Sequence, residues 1–174
     1  MLLNNYRKEI FRAECNPSFE AVHCFAYLDE DVSEVLPYLN AELGGYQFIR
    51  EPPSVTFKIN GRLITIHSQK IAVNALKDEA EADKILNWLK NQINETWENK
   101  DKIKPSFVSA PQPKLIEILK LLPKTNCREC GQPTCMVFAS LAVEGVKGVE
   151  DCPALAGENR EKLSEYLKQF KLGY

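Results

Sequence analysis

Apolar and polar residues alternate along Ser54-Val-Thr-Phe-Lys-Ile59, which puts Val55, Phe57 and Ile59 on one face of a strand. Asn60-Gly61 follows, a two-residue hairpin turn in which both central positions need positive φ. Arg62-Leu-Ile-Thr-Ile-His67 reads as the returning strand and Lys70-Ile-Ala-Val-Asn74 as another. Glu20–Tyr27 and Gly45–Ile49 have strand-like composition. The spacing turns helical at Val32, Val35, Leu36, Leu39 and Leu43, behind a capping-box-like Asp31 and Glu34. Pro37 leaves two readings, a kinked helix or one that starts later with Pro37 in its first turn; Gly44-Gly45 ends it. A second helix is predicted over 79–99. There Ile85, Leu89, Ile93 and Trp97 recur every four residues, Ala82 and Leu86 widen the stripe, and the acids of Asp78-Glu-Ala-Glu81 suit the helix start.

The pattern changes near Lys104. Lys104-Pro-Ser-Phe-Val-Ser-Ala-Pro-Gln-Pro113 carries three prolines and favours an extended connection. Beyond it the spacing is helical in short runs: Lys114–Leu122, closed by Pro123; Thr134–Glu144, with Pro133 before it and Gly145 after; and Pro153–Phe170, with Leu155, Leu163, Tyr166, Leu167 and Phe170 turned inward. The expected class is therefore α+β. An N-terminal domain, 1–104, has an antiparallel sheet covered by two helices and serves partner recognition. A small, mostly helical C-terminal domain, 105–174, carries the chemistry. Some seventy residues of this kind are marginal alone, so a bound metal centre would supply missing core.

Composition narrows the function classes. The chain has 174 residues and a net charge of −2, so no broad basic face for nucleic acid is implied. No apolar run approaches the ~20 residues of a membrane-spanning helix, and the first residues lack a signal-peptide core. The expected location is the cytosol. No Gly-rich phosphate loop, metalloprotease motif or nucleophile triad is present.

The cysteines change the picture. Four of the six fall in Cys127-Arg-Glu-Cys130-Gly-Gln-Pro-Thr-Cys135 and, after sixteen residues, Cys152-Pro153. In a reducing compartment such clustering points to metal or redox chemistry rather than disulfides. A cubane [4Fe–4S] cluster asks for four thiolates, one per iron. Structural zinc also takes four cysteines, usually as two well-separated Cys-x2–4-Cys pairs, whereas here three are crowded and one stands apart. A thioredoxin-like pair would leave Cys135 and Cys152 without a role. Gly131 suits a tight turn beside the centre. Cys135 is expected in the first turn of a helix and Cys152 just before another, where positive dipole ends would favour an anionic cluster, with Lys124, Arg128 and Lys147 adding charge.

The run Leu122-Pro-Lys-Thr-Asn-Cys-Arg-Glu-Cys-Gly-Gln-Pro-Thr-Cys-Met-Val-Phe-Ala139, with Asp151-Cys-Pro153, resembles the four-cysteine iron–sulfur domain family. That domain is found in the large subunit of the corrinoid iron–sulfur protein and in the B subunit of the Rnf electron-transport complex. The resemblance covers roughly Pro113–Leu155. It implies a [4Fe–4S] cluster on Cys127, Cys130, Cys135 and Cys152, one-electron transfer, and a setting in anaerobic, corrinoid or one-carbon metabolism. The implied partners are a ferredoxin-like donor and a corrinoid or other redox acceptor. The chain is too short for the corrinoid protein's barrel and cobalamin domain, and it lacks the Rnf subunit's additional ferredoxin-type cysteine sets. The expected function is a small one-electron carrier. The alternative is a binding or assembly module whose cluster, or zinc, is structural. With a thiolate on every iron no open catalytic iron is expected, which weighs against an enzyme. Cys15, His23 and Cys24 lie close in sequence, but adjacent strand residues point to opposite faces, so His23 and Cys24 should not share a metal. His67 reads as a surface or hydrogen-bonded histidine.

Overall fold

The computed structural model describes residues 1–12, 21–59 and 61–170. The chain divides into two compact units, Met1–Phe57 with Arg62–Ala110, and Pro111–Tyr174 with Lys58–Gly61. The first unit holds six strands: β1 (Tyr6–Arg12), β2 (Val22–Leu28), β3 (Gln47–Ile49), β4 (Ser54–Ile59), β5 (Arg62–His67) and β6 (Lys70–Leu76). They form one sheet in the order β1-β2-β6-β5-β4-β3. Pairing is antiparallel between β1 and β2, β2 and β6, β5 and β6, and β3 and β4. Two helices, α1 (Leu36–Leu43) and α2 (Glu79–Glu98), complete it, and the expected α+β class is borne out. Asn60 of the predicted hairpin turn and Cys15 lie outside the described residues; Gly61 has the positive φ, 76°, that the turn asks of it.

Cross-strand register builds the core. Ile64 and Cys24 both pair with Val73, and Ile66 and Ala26 both pair with Ile71. All six are buried, as a single row with period two requires. Against them lies α2, whose buried stripe is Ala82, Leu86, Leu89, Ile93 and Thr96. That spacing alternates four and three residues, as a 3.6-residue turn demands. The predicted strict four-residue repeat drifts off the face, leaving Ile85 and Trp97 only half-buried. The first helix starts late, with Pro37 in its opening turn after a short 3-10 turn at Ser33–Val35, and closes on Gly44 in the left-handed region. Asp31 accepts from the Ser33 amide at 2.8 Å just ahead of this turn, but no side chain caps the turn or the helix, so the capping-box-like start is not formed.

Strand β1 is absent from the sequence reading. It is an edge strand whose inward position Lys8 is charged, and its ammonium lies between Glu79 and Asp83 of α2. An inward charge on an edge strand discourages pairing with other chains, and it also breaks the alternation by which a strand is recognised. Cys24 is fully buried and its thiol is pushed up chiefly by that burial, the behaviour of a small core hydrophobe. His23, on the other face, stacks on Phe11 with ring centroids 5.6 Å apart.

Two buried asparagines fasten segments that have no strand partner. Asn94 on α2 accepts from the amides of Leu2 and Leu3, both at 2.8 Å, and donates to the Leu3 carbonyl at 2.9 Å. Asn40 on α1 donates to the carbonyls of Ser106 and Val108 at 2.8 and 2.9 Å, and accepts from the Gly45 amide at 3.0 Å. Further backbone bonds from Ser106 to Pro37 and from Ala110 to Gly45 hold the first half of the Pro-rich segment on this unit. Gly45 is needed for space. A Cβ there would stand 2.4 Å from Asn40 Oδ1 and 2.6 Å from Val55 Cγ2.

The second unit has three helices, α3 (Leu115–Leu121), α4 (Cys135–Val143) and α5 (Gly157–Lys168), with a 3-10 turn at Val149–Asp151. Its core is Ile118, Leu122, Phe138, Ala139, Ala142, Val149, Leu155 and Leu163, together with Cys152. The Tyr166 hydroxyl of α5 accepts from the Lys114 amide at the start of α3, at 2.9 Å. Among the described residues no helix is long and apolar enough to cross a membrane. Asn40→Ala is expected to destabilise the first unit by about 1–3 kcal/mol, because it leaves buried backbone groups without partners. Gly45→Ala is expected to act in the same direction, and the urea midpoint of each variant checks this.

Candidate metal centre

The loop from Leu122 to Thr134 departs from ordinary backbone geometry. Lys124, Asn126 and Arg128 have φ of 61°, 51° and 65°, and Gly131 has 77°. Each non-glycine residue there costs roughly 1–2 kcal/mol, least for asparagine, whose short polar side chain tolerates this region. Gly131 serves by its dihedral alone, since an added Cβ would meet nothing within 4 Å. The Arg128 carbonyl accepts from the Gly131 amide at 2.9 Å, closing the turn that carries Cys127 and Cys130.

Asn126 ties this loop to the next element. Its Oδ1 accepts from the Cys135 amide at 2.8 Å, so one side chain sets the distance between the paired cysteines and the third. Cys135 opens α4, as expected. Thr134 caps the helix, its Oγ1 accepting from the Val137 amide at 3.2 Å. Much of the helix start is thus already engaged by Asn126 and Thr134.

Cys152 differs from expectation. It closes the 3-10 turn at Val149–Asp151, and α5 begins only at Gly157, so no helix N-terminus stands at this thiol. The turn is fixed instead by Asp151, whose Oδ2 accepts from the Gly148 amide at 2.7 Å, a bond that holds its carboxyl below the usual range. Pro153 misled the reading, because a proline favoured in a first helical turn also favours an extended stop. Lys147, expected to add charge at the centre, is ion-paired to Asp151 at 3.5 Å.

All four cysteines line one pocket, with Leu122, Pro123, Asn126, Arg128, Thr134 and Phe138 among its other walls. No Asp, Glu or His lines it. Exposure is graded across the set: Cys152 is buried at 5% and packs in the core, Cys130 and Cys135 are half-buried against it, and Cys127 is exposed. Burial pushes the Cys152 thiol up; the Leu155 amide pulls the other way, and the nearby charges of Cys130, Cys135 and Cys127 add to the rise. A cationic centre is the chemistry that reverses this preference and keeps four sulfurs ionised together. The residues present therefore fit a thiophilic metal centre. Among the described residues no three His, Cys, Asp or Glu side chains converge on a single ion position, at Cys24 and His23 included. The sequence pointed to all four cysteines; Asn126 escaped notice, although asparagine one residue before the first cysteine is a residue that tolerates positive φ.

Comparison with known proteins agrees. A family model described as "Putative Fe-S cluster" matches residues 122–154. The gamma 2 subunit of the acetyl-CoA decarbonylase/synthase complex of Methanosarcina mazei is 50% identical over 52 residues, 29% of this chain and 11% of that protein. The gamma subunit from Methanothermobacter thermautotrophicus is 42% identical over 52 residues, 30% of this chain and 11% of the relative. The corrinoid/iron-sulfur protein large subunit of Moorella thermoacetica is 46% identical over 48 residues, 28% and 11% of the two chains. The chain thus spans about a tenth of the length of these relatives. No solved structure matches the chain. The resemblance read from the sequence is borne out: residues 122–154 are similar to an iron–sulfur cluster domain.

Asn126→Ala loses both the bond to Cys135 and the tolerance of positive φ, and should weaken the second unit by about 1–2 kcal/mol. Asn126→Gly loses only the bond and should fall between. Amide hydrogen exchange over Cys135–Ala139 reads the order.

Proposed function

We propose that the chain holds one [4Fe–4S] cluster on Cys127, Cys130, Cys135 and Cys152 and acts as a one-electron carrier in corrinoid or one-carbon metabolism of anaerobes. The observation that carries this reading is the pocket itself, four cysteines with a core-packed inner wall and an exposed outer rim at Cys127. A bound cluster of this type supplies one reversible electron. The chain's own part is to hold and shield it. Cys152, Phe138 and Leu122 keep water from the inner side, and Asn126 sets the spacing of the ligands. Three crowded cysteines and one apart depart from the two separated Cys-x2–4-Cys pairs usual for structural zinc, which favours the cluster over zinc.

The relatives named as acetyl-CoA decarbonylase/synthase subunits and as a corrinoid/iron-sulfur protein support the metabolic setting. On that basis the partners are a ferredoxin-like donor and a corrinoid or other redox acceptor, the location is the cytosol, and residues 1–104 serve as the recognition domain beside a cluster domain at 105–174. A second reading, a structural cluster, is favoured by one observation: Cys152 belongs to the core of its unit.

Anaerobic iron and sulfide analysis with an EPR-monitored redox titration tests both. Four irons, four sulfides and a reversible one-electron wave are expected. A cluster with no accessible redox change would leave only the structural reading, and one zinc would sink both. Cys152→Ser, which places a hydroxyl among apolar side chains, is expected to lower the melting temperature of the metal-free protein more than Cys127→Ser at the exposed rim. The cost inside is about 1–3 kcal/mol.

A further inference from the structure

An open groove lies beside the cysteine pocket, between α3 and α4 and wholly within the second unit. It is lined by Ile116, Leu119 and Met136, by Lys120 and Lys124, and by Asn126, Thr134 and Cys135. The last three also line the cysteine pocket, so the two spaces share a wall. Ile116 and Met136 are 57% and 56% exposed, high for large apolar side chains. Val137 next to Met136 is exposed as well. Two lysines and no acid line the groove. Lys120 pairs with Glu117 at 2.9 Å, but the pair stands in solvent and is easily exchanged.

We infer that this groove is the docking surface for an acidic electron-donor protein. An apolar centre with a cationic rim is the usual anatomy of a transient protein interface. The lysines select the sign of the partner, since carboxylates on its rim would meet Lys124 directly and Lys120 in exchange for its solvent-exposed pair with Glu117. Seated there, a donor faces the wall formed by Cys135, which is half-buried and reachable from the groove. One electron leaves the donor's iron–sulfur centre and enters the cluster; the donor is oxidised by one unit, the cluster reduced by one, and no bond or proton moves. The inference rests on the electron-carrier reading.

The test uses the full, cluster-loaded chain and a small acidic [4Fe–4S] ferredoxin as probe. Binding is measured by calorimetry with both proteins oxidised. Reduction is followed by stopped-flow absorbance with the reduced ferredoxin, and separately with reduced methyl viologen, which needs no docking. Lys120→Glu and Ile116→Glu alter α3 and leave the cysteine loop intact. Each is expected to weaken ferredoxin binding about tenfold at low salt, to slow its electron transfer equally, and to spare reduction by methyl viologen. Wild-type binding should weaken steeply with salt. Ferredoxin binding unchanged in both variants would overturn the inference while leaving the carrier reading intact. Salt-sensitive binding lost in the variants, with no reduction by either donor, would support the docking surface and overturn the carrier reading. Self-association of the wild-type chain that Ile116→Glu abolishes would give the groove to a second copy and overturn the inference.

Discussion

The second unit is organised around a conflict between burial and charge at its cysteines. Cys152 sits in the same core as Ile118, Phe138 and Leu163, where a thiolate is disfavoured by desolvation. The charges of the other three cysteines push its thiol the same way. Without a cation, the Cys152 thiol is therefore held toward its neutral form. With a cationic centre, the mutual repulsion becomes shared attraction, and the buried sulfur changes from a liability to an anchor.

The first unit solves its polar problems by other means. Two of its buried polar side chains are amides, and each satisfies several backbone groups. Asn94 stands in for a strand beside Leu2 and Leu3, and Asn40 does so for Ser106 and Val108. Neutral groups suit this work, because an amide offers both donors and an acceptor at far lower desolvation cost than a charge. The consequence is local rigidity. With Ser106–Ala110 fastened to Asn40, Pro37 and Gly45, that part of the Pro-rich segment is a strap on the first unit rather than slack chain.

What the sequence made legible follows from range. Strands β4, β5 and β6 could be read because period two is a property of neighbours, and the cysteine set because its spacing is local. The acids at the start of α2 were legible for the same reason, and there Asp78 accepts from the Glu81 amide at 2.8 Å; of the two readings of Pro37 the structure takes the late start. Strand β1 could not be read, since Lys8 makes sense only beside Glu79 and Asp83 more than seventy residues away. Nor could Asn40, whose partners lie 66 and 68 residues on. The placement of Cys152 failed for a different reason. Proline after a cysteine is compatible with a helix start and with an extended stop, and the choice is made by the Gly148–Asp151 bond.

The backbone strain around Cys127 bears on how the ligand set comes together. Left-handed conformations at Lys124 and Arg128 are unfavourable for side chains of that kind, and persist only where surrounding structure imposes them. The structure that imposes them is made of protein: Leu122 buried in the core, the Arg128–Gly131 turn, and the Asn126–Cys135 bond. The spacing of Cys127, Cys130 and Cys135 is held by these contacts. Cys152 arrives on a separate turn held by its own core contacts. Three of the cysteines thus sit on or at the end of one strained loop, and the fourth is held by the core of the unit.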